Sequence, residues 1–238
     1  MKITRFLTVI SLASFGMIVF AANPDPECEA LAQKITKQTG VKVDSVRRMP
    51  MAGLFEVLAN KKIVYMDRSG TYAFIGHIYD TSTDTDLTAK RIEELNRVDW
   101  KTLPLKDALK VVYGNGKRKV VVFTDARCTY CSLLEKNLEQ VGNVTVYNFI
   151  HPVLNSRDIT RSILCSKDPV KAWRDHMTKN IDPAPFVGKC DTSVLDRNLQ
   201  LGKRFSITGT PVLIFEDGSV QPGALPVDEL ERRLNHKR

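Results

Sequence analysis

Cys128 and Cys131 stand with only Thr129-Tyr130 between them, directly after the apolar run Lys119-Val120-Val121-Val122-Phe123. Two thiols at that spacing make a compact dithiol/disulfide couple. Its chemistry is thiol–disulfide exchange, in which a thiolate attacks a disulfide sulfur and a mixed disulfide forms and is then displaced. The run Val120 to Phe123 is β-branched and short enough for a buried strand, whereas Ser132 to Glu139 reads as helix with Leu134, Leu138 and Val141 on one face. The pair therefore falls at a strand-to-helix turn. There, unpaired backbone N–H groups and the positive end of the helix dipole, roughly half a charge, stabilise a sulfur anion. Cys128 is the expected nucleophile and Cys131, one turn inside the helix, the resolving thiol; oxidised, they form the redox-active disulfide Cys128–Cys131. Half of a zinc site is the other use of such a pair, and it needs two more ligands at short spacing. Cys165 and Cys190 are solitary and His77, His151, His176 and His236 are scattered, so neither a metal nor a cofactor is expected. Asp125 and Arg127 flank the pair as expected turn residues facing water, and Tyr130 is expected to shape the rim.

The elements that position this pair follow from hydrophobic spacing. Asp25 can cap a helix with Pro26 in its first turn, and Cys28, Leu31, Ala32 and Ile35 share one face until Gly40 stops it. From Val41 to Tyr79 short β-rich pieces follow, such as Leu54 to Leu58 and Lys62 to Met66, broken at Asn60-Lys61 and at Asp67-Arg68-Ser69-Gly70. This predicts a small α+β domain over residues 23–82. About sixty residues bury only a thin core, which a second copy of the chain can complete, so a dimerisation role is expected. The polar stretch Thr81 to Asp86 closes that domain and caps a helix from Leu87 to about Val98, a linker within residues 83–102. Leu103, Leu105, Ala108, Leu109 and Val112 then lead into the strand before Cys128, opening a larger domain over residues 103–238. After the helix comes a second apolar strand, Val144 to Ile150, which implies a βαβ unit with parallel strands. Segments from Asp158 to Cys165, from Asp168-Pro169 to Met177 and from Asp191 to Phe205 read as an inserted helical region. The chain returns with Pro211 to Phe215, an Asp217-Gly218 turn, a short strand near Val220 and a last helix from Val227 to Leu234.

The first residues, Met1-Lys2-Ile3-Thr4-Arg5 followed by an apolar run from Phe6 to Ala22, predict a secretory signal peptide over residues 1–22, cleaved near Ala21 or Ala22. The run is shorter than the roughly 20 residues that span a bilayer comfortably, so no stable membrane insertion is expected. Losing Lys2 and Arg5 lowers the formal charge from +8 to +6. What remains is dispersed over Arg47-Arg48, Lys61-Lys62, Lys117-Arg118-Lys119 and Arg232-Arg233, a solvated surface rather than a nucleic-acid footprint. Export to an oxidising compartment lets distant thiols stay paired. With the C-x-x-C using two cysteines and Cys28 remote, Cys165–Cys190 is the expected structural disulfide, worth roughly 3 to 4 kcal/mol in the chain-entropy account. Cys28 reads either as a buried thiol on its helix face or as an intersubunit bridge across a dimer axis.

Taken together, the C-x-x-C at the head of a helix, the inserted helices and Gly209-Thr210-Pro211 before a β-hairpin resemble the thioredoxin fold. Phe123-Thr124-Asp125 before Cys128, Cys165-Ser166-Lys167-Asp168, Cys190-Asp191 and the small N-terminal domain on a helical linker resemble more narrowly the periplasmic disulfide isomerases of the DsbC and DsbG type. The resemblance implies an α+β N-terminal dimerisation domain plus an α/β thioredoxin-like catalytic domain with a helical insertion. It implies that Pro211 is cis against the redox pair and that Thr129, Tyr130, Thr210 and Pro211 bind substrate. It also implies a V-shaped homodimer, mis-oxidised exported proteins as substrates, chaperone activity, a periplasmic location and reduction by a membrane donor of the DsbD type. The dipeptide Thr129-Tyr130 departs from the Gly-Tyr and Pro-Tyr of the best-known members, which leaves the isomerase-to-oxidase balance open. The rival readings are a dithiol oxidase of the DsbA type and a dimeric holdase chaperone with incidental cysteines.

Overall fold

The structure, a computed structural model, describes residues 25–235, so the expected signal segment over residues 1–22 lies outside the described residues. It divides into two compact units between Ile78 and Tyr79.

In the first unit, α1 (Pro26–Thr39) begins where the Asp25 carboxylate accepts the Glu27 N–H and ends at Gly40, whose left-handed backbone turns the chain back on the Thr36 carbonyl. Strands β1 (Val43–Arg48), β2 (Leu54–Ala59), β3 (Lys62–Asp67) and β4 (Ala73–Phe74) form an antiparallel sheet in that order. Cys28, Leu31 and Ile35 pack on Phe55 and Val57, a core of few side chains, as expected for a unit of this length. The short edge strand β4 leaves Tyr72, Phe74 and Ile75 exposed.

The second unit opens with β5 (Tyr79–Asp80) and β6 (Thr85–Asp86), a hairpin, followed by α2 (Leu87–Leu95), capped by Asp86. Two 3-10 turns, Trp100–Thr102 and Leu105–Asp107, lead to β7 (Leu109–Tyr113) and β8 (Arg118–Thr124). Then follow α3 (Thr129–Val141), β9 (Val144–Ile150), α4 (Arg157–Leu164), α5 (Pro169–Lys179), α6 (Ser193–Arg204), β10 (Val212–Phe215), β11 (Val220–Pro222) and α7 (Val227–Asn235). The sheet order is β11-β10-β8-β9-β7, with β8 and β9 parallel and the other pairs antiparallel. Strand β8 is buried on both faces. Val120 and Val122 meet Leu134, Leu138 and Trp173 on one side; Val121 and Phe123 meet Phe149, Leu201 and Ile214 on the other. Phe123 and Phe149 stack at 5.2 Å.

The segment expected as a linker over residues 83–102 lies within this larger unit. Val98 and Leu103 are buried in its core, and the Val98 N–H donates to the Gly218 carbonyl at 2.9 Å. The apolar pattern of residues 103–112 resolves into a turn and a strand, because Leu109 to Tyr113 can pair antiparallel with the outer edge of β9. Among the described residues, no helix is long and apolar enough to cross a membrane.

Gly202 of α6 supports this packing by its lack of a side chain: a Cβ there would lie 2.4 Å from Cε1 of the buried His151. Alanine normally stabilises a helix interior by up to about 1 kcal/mol over glycine. Gly202→Ala is expected to reverse that sign and destabilise by about 1 to 3 kcal/mol through overpacking. Urea unfolding measures it, and an unchanged or raised midpoint would contradict the packing described.

Candidate active site

Strand β8 delivers the chain to the Cys128/Cys131 pair, and α3 begins on it: Cys128 is the N-cap of α3 and its carbonyl accepts the Ser132 N–H at 3.0 Å. Antiparallel pairing of β10 with β8 sets Val212 opposite Phe123, which carries Thr210 and Pro211 just past the end of β8, beside Cys128. The Thr210–Pro211 peptide is cis, and the Cys128 thiol donates to the Thr210 carbonyl at 3.3 Å. The structure thus brings together Cys128, Cys131, Thr210 and Pro211. Thr129 and Tyr130 lie on the outer face of the same turn, with Tyr130 67% exposed. Leu133 on α3 and Val153 and Leu154 in the loop after β9 are also exposed apolar side chains. Cys165 and Cys190, from the helical insertion, are joined as a disulfide. Cys28 is a free, buried thiol in the other unit, and burial pushes its pKa up.

The two thiols of the pair are inequivalent. Cys128 is the N-cap residue of α3, at the positive end of the helix dipole, and its sulfur takes no capping hydrogen bond. Cys131 is 1% exposed and faces the core of α3, and burial pushes its thiol up to about 12 against hydrogen bonds from the Thr124 hydroxyl and the Asp125 N–H. The Asp125 N–H lies 3.5 Å from Cys131 Sγ.

Asp125 corrects the expectation of a turn residue facing water: it is 0% exposed. Its Oδ1 accepts the Arg127 N–H at 2.8 Å, and its Oδ2 accepts the N–H groups of Val153 at 2.8 Å and Leu154 at 2.9 Å. Its carbonyl accepts the Cys128 N–H at 3.1 Å. One buried carboxylate thus holds the loop after β9 against the turn that presents both cysteines. Arg127 is exposed as expected, and its guanidinium reaches the Asn155 carbonyl and, at 2.7 Å, the Asp158 carboxylate. The visible signal for Asp125 was its place at the C-terminal end of a continuously apolar strand, where a side-chain acceptor closes a turn.

Glu135 was also missed, because its charge reads as surface in a helical pattern. It sits one turn beyond Cys131 on the buried face of α3, 2% exposed, accepting the Tyr113 hydroxyl at 2.7 Å. Burial, offset in part by Tyr113, Trp173 and Arg174, raises its carboxyl to about 6.

The chain matches two family models. Residues 105–238 match a thioredoxin-like domain, and residues 22–89 match the disulfide bond isomerase protein N-terminal domain. It is 40% identical over 217 residues to the probable thiol:disulfide interchange protein DsbC of Bordetella pertussis, covering 90% of this chain and 76% of that one. It is 27% identical over 216 residues to the thiol:disulfide interchange protein DsbC of Escherichia coli K12, covering 87% of each. Among solved structures, a disulfide interchange protein from Neisseria gonorrhoeae is 34% identical with a TM-score of 0.52, covering 57% of this chain and all of that one.

Two outcomes follow from the buried acids. Asp125→Asn replaces an acceptor oxygen by an N–H₂ group that faces backbone N–H donors. It is expected to destabilise by about 1 to 3 kcal/mol in urea unfolding, and a midpoint equal to wild type would contradict the clamp. Glu135 keeps its proton in the folded chain to about pH 6 but loses it near 4.5 in an ordinary environment. Its contribution is therefore fully present below pH 4.5 and is lost as pH rises through 6, by about 2 kcal/mol. Unfolding free energies at pH 4.5 and 7 should fall by that much more in wild type than in Glu135→Gln; equal falls would show that Glu135 is not a raised, buried acid.

Proposed function

Because the chain belongs to the DsbC family of thiol:disulfide interchange proteins, we propose that it is a periplasmic disulfide isomerase and reductase that rearranges wrong disulfides in exported proteins through Cys128-Thr129-Tyr130-Cys131. The observation that carries this reading is the inequivalence of the two thiols: Cys128 at the N-cap of α3, Cys131 buried with its thiol raised to about 12.

In the first step the Cys128 thiolate attacks one sulfur of a substrate disulfide. A Cys128–substrate disulfide forms, the substrate S–S bond breaks, and the leaving sulfur departs as a thiolate. Two exits follow. A substrate thiolate can attack the substrate sulfur of the mixed disulfide and expel Cys128 as a thiolate, which moves the disulfide with no net change in oxidation. Alternatively, Cys131 loses its proton and attacks Cys128 Sγ, which releases the substrate as a dithiol and leaves Cys128–Cys131 oxidised. The second exit requires a thiolate at a buried site that disfavours charge, so the first has time to operate. A slow second exit would leave the mixed disulfide open to the rearrangement that isomerisation requires. When the second exit is taken, an external dithiol donor must return the pair to the reduced state, and a membrane reductant of the DsbD type fits that need.

The exposed ring of Tyr130 and the neighbouring Leu133, Val153 and Leu154 support substrate contact through apolar segments of unfolded chains, the basis of a chaperone activity beside the exchange. Thr129, Tyr130, Thr210 and cis-Pro211 form the proposed substrate-binding set, with the Thr210 carbonyl already engaged by the nucleophile. A homodimer through residues 23–82 is supported by the thin core of the first unit and by the exposed Tyr72, Phe74 and Ile75 along its β4 edge. A signal peptide over residues 1–22 would deliver the chain to the periplasm, where the Cys165–Cys190 disulfide can persist.

Pre-reduced protein is expected to reactivate scrambled ribonuclease, Cys128→Ala to abolish reactivation, and Cys131→Ala to keep a measurable part of it while accumulating mixed disulfides. No reactivation by wild type, together with fast oxidation of a reduced peptide by its disulfide form, would assign the chain as an oxidase. Loss in Cys131→Ala as complete as in Cys128→Ala would eliminate the direct rearrangement route.

A further inference from the structure

The helical insertion is fastened to the redox turn by an imidazole. His176, in the last turn of α5, has Nε2 2.7 Å from the carbonyl oxygen of Ala126 and Nδ1 2.9 Å from a carboxylate oxygen of Asp182. Ala126 lies in the turn between β8 and α3, two residues before Cys128. Asp182 lies in the segment after α5 that the Cys165–Cys190 disulfide closes. The His176 ring is mostly buried, while the Asp182 side chain is exposed. Beside it, Ser132 of α3 donates its hydroxyl to the Met177 carbonyl at 2.5 Å, which ties α5 to α3 itself.

Both partners of the ring are acceptors. A backbone carbonyl has no proton to give, and neither has an ionised carboxylate, whereas a neutral imidazole carries a single N–H. A neutral His176 would set a lone pair against one of the two oxygens. A ring protonated on both nitrogens would donate to both oxygens. Of the charged groups on the same elements, Asp175 pairs with Lys171 and Lys179, Arg127 of the turn pairs with Asp158, and the buried Asp125 carboxylate of the turn is held by three backbone N–H groups.

We propose that His176, as an imidazolium, is a positioning residue for disulfide exchange: it pins the Ala126 carbonyl, and so the turn that presents Cys128, and places a positive charge beside that turn. This deepens the isomerase reading and rests on it. A fixed cation at the edge of a redox turn favours a sulfur anion there. A pinned carbonyl keeps the N-cap geometry from relaxing when the thiol becomes a mixed disulfide.

The test compares wild type, His176→Phe and His176→Gln as full-length reduced proteins. Alkylation of Cys128 by iodoacetamide is followed against pH by mass spectrometry of its peptide, and reactivation of scrambled ribonuclease is measured beside it. In His176→Phe the alkylation midpoint should move upward by about half a pH unit and reactivation should slow about tenfold. Glutamine keeps a donor for the Ala126 carbonyl but no charge, so it should recover most of the reactivation rate and keep the raised midpoint, an outcome that a merely structural role would not give. A wild-type alkylation profile in either variant would overturn the charge, and a rate in His176→Gln no better than in His176→Phe would overturn the pin. If His176→Phe does not fold, the profile of His176→Gln decides alone. Should wild type itself fail to reactivate ribonuclease, the isomerase reading falls, while the alkylation profiles still report on His176.

Discussion

A carboxylate removed from water must find hydrogen-bond donors or cost several kcal/mol, and Asp125 finds three in backbone N–H groups of its own turn and of the loop after β9. The rest of the candidate site is arranged around that satisfied carboxylate. Its backbone carbonyl receives the Cys128 N–H and its backbone N–H approaches the Cys131 sulfur, so a single residue touches both halves of the pair. The interaction is possible only because β8 runs through the middle of the sheet and ends there, with β9 parallel beside it delivering residues 151–154 to the same edge. Parallel pairing is therefore a requirement of the site as well as of the fold.

The same architecture makes two chemically identical thiols behave differently. Helix α3 must bury one face against the sheet, and the periodicity that places Leu134 and Leu138 in the core carries Cys131 with them. Cys128 precedes the first helical residue, so its sulfur is aimed across the turn at the Thr210 carbonyl instead. Burial disfavours the charged form at Cys131, whereas Cys128 stands at the N-cap of α3. The difference between the two thiols thus comes from their places on α3: one precedes the helix and the other lies on its buried face.

The helical insertion contributes to the site as well as covering the sheet. Its α5 contacts α3 through Ser132 and the redox turn through His176, and Trp173 fills the space behind α3. The disulfide Cys165–Cys190 closes the segment that carries Asp182. These contacts all lie within the second unit. The core of the first unit is small, and its short edge strand β4 leaves Tyr72, Phe74 and Ile75 exposed.

The sequence by itself determined the local elements and the chemistry. The C-x-x-C after a β-branched run, the Asp25-Pro26 start and Gly40 stop of α1, and the alternation of strand and helix after residue 118 each depend on neighbours in the chain, and local spacing records them. The larger-unit membership of residues 79–102 was not legible, because Val98 and Leu103 are assigned by a core whose other members lie far away in sequence. Nor were the roles of Asp125, Glu135 and His176. A charged residue in a polar turn or a helical pattern is ordinarily solvated, and only the packing of β9, β7 and α5 removes these three from water. Burial and hydrogen-bond partners are properties of segments brought together from across the chain, and for that reason only the tertiary structure decided them.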